Sequence, residues 1–262
     1  MIIDIHAHVF PDKIAVKASE NTGKFYGLPR GYDGTVSQLT AFQDEAGIDM
    51  ACIHSVAVTP HSVGSINRFI SDTALRNRNR FIGFGAIYPG AEDIPEVISE
   101  AKELGLRGFK IHPDIQQFAL DSMEAMDMFA ELENCGMPVL IHTGDKRFHN
   151  SRPEQTERVL RTFPGLTCIC AHLGGWSEWD DAVRHLARYE NAWFDTSSSL
   201  GFITREHALR VIHSYDTDRL MFGTDYPMWR PKEELERFMG LGLTDEENEK
   251  ILEKNARRLL GI

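Results

Sequence analysis

Short apolar runs alternate with segments of helical period along almost the whole chain. The runs are Ile2 to His6, Met50 to Val58, Phe81 to Ile87, Gly108 to His112, Pro138 to His142, Thr167 to Ala171, Ala192 to Phe194 and Leu220 to Gly223. Among them lie stretches whose apolar residues recur at three- and four-residue spacing: Val36 to Glu45, Ser65 to Asn77, Pro95 to Leu104, Met123 to Asn134, Glu154 to Thr162, Asp180 to Arg188, Arg205 to His213 and Glu233 to Met239. Continuous apolar runs suit strands buried on both faces, and the amphipathic stretches supply the cover, so the pattern predicts a parallel sheet wrapped in helices.

Punctuation agrees with these boundaries. Glu45-Ala46-Gly47, Glu103-Leu104-Gly105, Asn134-Cys135-Gly136 and Phe163-Pro164-Gly165 place Gly or Pro where a helix should stop ahead of the next strand. A last helix, Asp245 to Leu260, opens on Thr244 with Glu247 three residues on, the pattern of a capping box, and is expected to pack outside the sheet. The segment from Val9 to Thr35 carries several glycines and prolines and little periodicity, and reads as a long loop leaving the first strand. Eight strand-then-helix units could form an open doubly wound sheet. That arrangement puts a glycine-rich phosphate turn after the first strand, where His6 and His8 stand here, so a single closed (β/α)8 TIM barrel over residues 1–262 is the expected fold.

Composition narrows the partners. A length of 262 residues fits one large domain, and no linker or low-complexity tract divides it. The formal net charge of -11 argues against nucleic acid or an anionic membrane and for a small-molecule substrate. Cys52, Cys135, Cys168 and Cys170 sit in or beside apolar runs without the C-x-x-C spacing of a metal or redox site, which reads as reduced thiols in a core and a cytoplasmic location. The N-terminus lacks the basic and long apolar regions of a signal peptide, and no run reaches membrane-spanning length.

The chemistry lies at the strand ends, where a barrel keeps its active site. The first run ends His6-x-His8, and residues two apart on a strand share a face. The fourth ends Lys110-Ile111-His112-Pro113, the fifth Ile141-His142-Thr143-Gly144-Asp145, the sixth Ala171-His172-Leu173-Gly174-Gly175 and the eighth Phe222-Gly223-Thr224-Asp225-Tyr226-Pro227. One histidine after an apolar run is commonly a core residue. The same coincidence on five strands points to a shared metal site. Neutral imidazoles with a carboxylate suit zinc or a similar divalent ion, and a bound water brought towards neutral pKa would supply hydroxide.

The set of H-x-H on the first strand, single histidines ending the fifth and sixth, and Gly223-Thr224-Asp225-Tyr226-Pro227 on the eighth resembles the amidohydrolase superfamily. Ala171-His172-Leu173-Gly174-Gly175 together with the eighth-strand motif is similar to its amidohydrolase-related branch, which includes aminocarboxymuconate semialdehyde and resorcylate decarboxylases and several lactonases. The resemblance implies His6, His8, His142 and Asp225 as ligands of one ion, Zn2+ first, with Mn2+ or a second ion as alternatives. It implies His172 as proton shuttle, Asp225 as a second proton acceptor, and a homodimer. In other branches the fourth strand carries a carboxylated lysine bridging two metals. Lys110 is read either that way or as a polar barrel residue paired with an internal acid. His112 either lines the pocket or caps the turn before Pro113.

Cations and rings on the rim are the candidates for binding a carboxylated substrate: Arg30, Arg147, Trp176 and Arg230. Asp195, ending the seventh run, either orients a ligand or caps the next turn. The leading expectation is a metal-dependent hydrolase of a small carboxylated amide, ester or lactone. The alternatives are a non-oxidative decarboxylase of a small aromatic or unsaturated carboxylic acid on the same site, and a non-catalytic metal-dependent binding barrel.

Overall fold

The computed structural model describes residues 1–29, 31–91 and 93–262. In chain order the elements are β1 (Ile3–His8), α1 (Asp12–Tyr26), α2 (Val36–Ala46), β2 (Met50–His54), α3 (Val63–Arg76), β3 (Phe81–Gly83), β4 (Gly85–Ala86), α4 (Ile94–Glu103), β5 (Phe109–Ile111), α5 (Pro113–Gln116), α6 (Met123–Cys135), β6 (Val139–Ile141), α7 (Pro153–Thr162), β7 (Cys168–Cys170), α8 (Trp179–Leu186), β8 (Ala192–Asp195), α9 (Arg205–Ser214), β9 (Leu220–Met221), α10 (Pro231–Met239), α11 (Asp245–Glu249) and α12 (Asn255–Leu260). Every strand pairs parallel to its neighbour, in the order β1-β2-β3 and β4-β5-β6-β7-β8-β9. Phe84 alone separates β3 from β4, so these are two halves of one strand. Phe84 N donates to Ile53 O at 3.0 Å on one side, and Gly85 N to Gly108 O at 2.8 Å on the other.

Hydrogen bonds between the first and last strands close the ring. Ile5 N donates to Phe222 O (2.9 Å), Asp225 N to His6 O (2.8 Å) and His8 N to Tyr226 O (2.7 Å). The eight predicted runs are therefore the eight staves of a (β/α)8 barrel, and all eight helices expected from the pattern form. The last helix is capped as expected: Thr244 Oγ1 accepts from Glu247 N at 3.3 Å, while Glu247 accepts from Thr244 N at 2.8 Å. It passes through a π-helical turn, Lys250–Lys254, into α12.

The stretch from Val9 to Thr35 is not a continuous loop. Residues Asp12–Tyr26 form α1, whose buried face is Ala15, Ser19 and Gly23. That stripe has helical four-residue spacing but is built from small residues, so an apolar pattern does not display it. Gly27, at φ 66°, stops the helix in the left-handed conformation.

Side chains inside the barrel fall into two layers. The lower is apolar: Ile3, Ile5, Cys52, Ile82, Phe84, Leu140, Ile169 and Met221 pack together, and Ala256 and Leu260 of α12 join them. The last helix thus lies outside the barrel but across its bottom mouth. Two residues further along several strands the same face turns polar, as Cys52 gives way to His54, Leu140 to His142 and Trp193 to Asp195. In β1 a register irregularity between Asp4 and Ala7 brings both Ile5 and His6 inward. Outward-facing residues such as Phe109, Ile111, Val139, Ile141, Cys168 and Cys170 form the larger core beneath the helices. The four cysteines are free thiols. Among the described residues no helix is long and apolar enough to cross a membrane.

Candidate metal centre and active site

The upper layer is the site. Its centre is the pair carried by β1, with His6 Nε2 and His8 Nε2 3.3 Å apart. Asp225 Oδ1 lies 3.4 Å from the first nitrogen and 3.5 Å from the second. Asp225 has φ 58°, a left-handed conformation that a non-glycine residue adopts only when held. Its amide is bonded to His6 O, and Ser198 Oγ donates to Oδ2 at 2.5 Å. Trp229 Nε1 in turn donates to Ser198 Oγ at 2.7 Å.

Asp195 fixes the tautomer of His6. Its Oδ2 lies 2.8 Å from His6 Nδ1, which must therefore donate, leaving the Nε2 lone pair aimed at the centre. Its Oδ1 accepts from the amides of His172 and Ser197, each at 3.0 Å, and from Ser197 Oγ. Both readings of Asp195 hold: it orients His6 and it ties the turn that follows β8. Lys110 is fully buried, and its Nζ donates to His6 Nε2 at 3.2 Å. It is thus a polar residue inside the barrel whose direct partner is an imidazole, with the charges of Asp225 and Asp195 supporting it at longer range.

The other predicted histidines stand on the opposite side of the centre. His142 Nδ1 is 3.0 Å from His172 Nε2, while its Nε2 faces Asp114 Oδ2 at 3.7 Å. His172, at φ 61°, is turned inward by a left-handed backbone and holds Ser197 O (3.1 Å) and Ser197 Oγ (2.9 Å) with Nδ1. His112 caps the turn, the second of its two expected readings, and is not among the residues that line the cavity. Its Nδ1 accepts from Ile115 N at 3.3 Å, capping α5, and its ring stacks on His142 at 3.8 Å between centroids.

Tyr26, at the end of α1, belongs to the site and was not foreseen. Because His112 Nδ1 accepts, the neutral ring carries its proton on Nε2 and donates to Tyr26 Oη at 2.6 Å. The tyrosine's own proton is then available to the cleft. Tyr26, Leu28, His142, His172, Trp176, Ser198, Phe202, Asp225, Met228 and Trp229 line a cavity of about 260 Å3. Its wall is a chain of edge-to-face rings: Tyr26 on Trp176 (5.3 Å), Trp176 on Phe202 (5.6 Å) and Phe202 on Trp229 (5.6 Å).

Of the expected substrate-binding residues, Trp176 lines this cavity. Arg147 is committed elsewhere: it clamps Asp145 through Nε (2.9 Å) and Nη2 (2.6 Å) and lies over the rings of Phe25, Tyr26, Phe148 and Trp176. Arg230 pairs with Glu45 at 2.5 Å and lies over Phe42. Arg30 lies outside the described residues. The rim cations placed here by the structure therefore act as braces of loops and helices.

Burial sets the protonation states. Loss of hydration, followed by repulsion from Lys110 or neighbouring imidazoles, holds His6, His8, His54, His112 and His142 well below the usual histidine range. His172 is lowered to about 4, again chiefly by burial. Burial lowers Lys110 to about 8 and raises Asp225 to about 7, the latter against the opposing pull of Ser198 and Lys110. Neutral imidazoles with free lone pairs and a carboxylate that is costly to ionise form a donor set that fits a divalent cation, whose charge would favour the carboxylate form.

Known proteins share this fold. A family model described as Amidohydrolase matches residues 3–262. An uncharacterized TIM-barrel protein from Bordetella bronchiseptica superposes with a TM-score of 0.81 at 22% identity, covering 99% of this chain and 98% of the other. A 5-carboxyvanillate decarboxylase from Sphingomonas paucimobilis gives a TM-score of 0.75 at 17% identity, over 100% and 99% of the two chains. A dihydroxybenzoic acid decarboxylase from Polaromonas sp. JS666, with bound manganese and 2-nitroresorcinol, gives 0.72 at 16% identity, over 99% and 96%. The decarboxylase orsB of Emericella nidulans is 27% identical over 181 residues, which is 67% of this chain but only 47% of that protein's length. The chain belongs to the amidohydrolase family.

Proposed function

We propose that this enzyme is a metal-dependent, non-oxidative decarboxylase of a small aromatic carboxylic acid. The observation that carries the reading is the cavity itself: a slot of about 260 Å3 walled by Tyr26, Trp176, Phe202 and Trp229, with His172 and Asp225 among its lining. Edge-to-face aromatic walls favour a flat ring. The hydrolytic expectation is the weaker fit, because the similar proteins include several decarboxylases, some with bound manganese, beside one putative amidohydrolase.

In this reading His6, His8 and Asp225 would hold a divalent ion, Mn2+ or Zn2+, which would supply electrostatic stabilisation of negative charge on the substrate. The protein supplies orientation and a proton. Tyr26 offers its hydroxyl proton to a substrate oxygen, the rings exclude water, and His172 Nε2 and the Asp225 carboxyl are the groups placed to exchange a proton with the ring carbon. A set of hydroxylated benzoic acids incubated with enzyme and Mn2+ should release one equivalent of carbon dioxide per substrate consumed. Substrate loss with 18O entering from water and no carbon dioxide would establish the hydrolase instead.

A further inference from the structure

The slot is polar where it ends inside the barrel and apolar where it meets solvent. His142 and His172 are 2% and 3% exposed and lie at its inner end, whereas Phe202 is 41% exposed and stands at the mouth. Phe202 is carried by the turn after β8, where its amide donates to Ser199 O at 2.9 Å. Its ring meets both Trp176 and Trp229, themselves half-buried, so the three rings form one apolar rim on the cavity. Contiguous rings left open to water beside a cavity mark a surface for a ligand rather than part of the core.

The cations that touch this rim are already committed. Arg147 lies over Trp176 and is clamped to Asp145. Arg237 lies over Trp229 and pairs with Glu234, a buried acid of α10. The same guanidinium supports the backbone of Gly201, where an added Cβ would stand 3.6 Å from Arg237 Cζ, so one ion pair props both the Trp229 and the Phe202 sides of the mouth. Arg230, next to Trp229, pairs with Glu45. Among the described residues that line the cavity, none is a lysine or arginine. A second carboxylate placed against these rings would give up hydration without gaining a partner, while an alkyl group there would be withdrawn from water.

We infer that the enzyme selects monocarboxylic arenes bearing an apolar substituent on the side of the ring away from the carboxylate, and that Phe202, with Trp176 and Trp229, reads that substituent. The selection rests on the aromatic-acid substrate proposed above and on no particular fate of its carboxylate. It follows from orientation: the carboxylate end goes inward to the imidazoles and Asp225, and the opposite edge of the ring is left between the aromatic side chains of the mouth.

The test compares 2-hydroxybenzoate with its 4-methyl and 4-carboxy derivatives on the Mn2+-loaded enzyme, as kcat/KM for carbon dioxide release and, for any acid that is not turned over, as Kd by calorimetry. The methyl acid should be favoured about fourfold over the parent, the worth of one buried methylene, and the dicarboxylic acid disfavoured by about tenfold or more. Phe202→Ala should erase the methyl preference, Phe202→Leu should keep most of it, and Phe202→Arg should reverse the order by giving the second carboxylate a partner. Ratios taken within each variant cancel any general loss of active protein. A wild type that handles the dicarboxylic acid as well as the methyl acid, or preferences that stay the same in Phe202→Ala and Phe202→Arg, would overturn the inference. The expected order in Kd without carbon dioxide release would support it while removing the decarboxylase reading, and failure of all three acids to bind would overturn both.

Discussion

Replacing Asp195 by Asn tests how the barrel prepares its centre, because the change is isosteric and removes only charge and acceptor symmetry. The carboxylate receives donors on both oxygens: His6 Nδ1 on Oδ2, and the His172 amide, the Ser197 amide and the Ser197 hydroxyl on Oδ1. An Asn side chain has one acceptor and one donor end, so it cannot satisfy both sets. Two fixed backbone amides on the Oδ1 side will keep the carbonyl there and turn the NH2 towards His6. His6 Nδ1 must then accept, its proton moves to Nε2, and the lone pair aimed towards His8 and Asp225 is lost.

Partners behind metal-binding histidines are worth about 10–100-fold in metal affinity, or roughly 1.4–2.7 kcal/mol. Because this substitution reverses the tautomer, the upper end is expected. Hydrogen bonds to a charged acceptor contribute about 1.5–3 kcal/mol each, so stability should fall by about 2–4 kcal/mol as one is inverted and the others are weakened. Calorimetric titration of the metal-free variant with Mn2+, beside urea unfolding, gives both quantities. Asp145→Asn, which disturbs the Arg147 clamp away from His6, serves as the control and should leave metal affinity near wild type. Wild-type metal affinity in Asp195→Asn would refute the tautomer argument.

Further outcomes follow from the same geometry. Tyr26→Phe should lower kcat/KM by about 10–100-fold, the value of one hydrogen bond to a charged substrate oxygen, while leaving the melting temperature within a degree or two; equal activity would remove Tyr26 from the site. Gly144→Ala places a Cβ 2.5 Å from Gly175 C and Trp176 N at a φ of +84°, so a loss of more than about 2 kcal/mol is expected in thermal unfolding. Asp4 is raised from 3.8 to about 7 because burial outweighs the bonds it accepts from the His6 and Thr224 amides and the Thr224 hydroxyl. An acid raised in the folded state contributes stability below its unfolded value that is lost as pH rises through the folded one. Metal-free wild type should therefore lose on the order of 4 kcal/mol relative to Asp4→Asn between pH 4 and pH 7, and parallel stability curves for the two proteins would disprove the shift.

The strand-end rule found most of the centre because the barrel's inward face runs apolar and then polar along a single strand. His6, His8, His142 and Asp225 each follow an apolar run by one short step, which is a pattern visible in one dimension. His54 obeys the same rule, as the residue two beyond Cys52 on the same face. Its place at the strand end was not legible because the apolar run was read through to Val58, which placed His54 in mid-strand. The observed strand stops at His54. Residues beyond it leave the sheet, and Ser55 Oγ donates to Val9 O. Tyr26 escaped for a different reason. The helix that delivers it buries Ala15, Ser19 and Gly23, whose small size allows close approach and leaves almost no hydrophobic signature.

The rim arginines mark the limit of reading charge from sequence. Arg147 and Arg230 sit on the loops where a carboxylate clamp was expected, but the acids that neutralise them, Asp145 and Glu45, differ in how visible they are. Asp145 is two residues away, and its partnership could be suspected; Glu45 lies in α2 and meets Arg230 only through the fold. The turn geometry is equally hidden. His172, Ser198 and Asp225 all have positive φ values of 61°, 47° and 58°. Nothing in a non-glycine residue's identity announces a left-handed backbone, yet those three conformations aim an imidazole, a hydroxyl and a carboxylate into one cleft. They are held by bonds from distant strands: the His172 amide to Asp195, and the Asp225 amide to His6. The residue types of the centre are thus set by the sequence of each strand end, whereas their convergence depends on closure of the barrel, which joins β1 to the segment after β9.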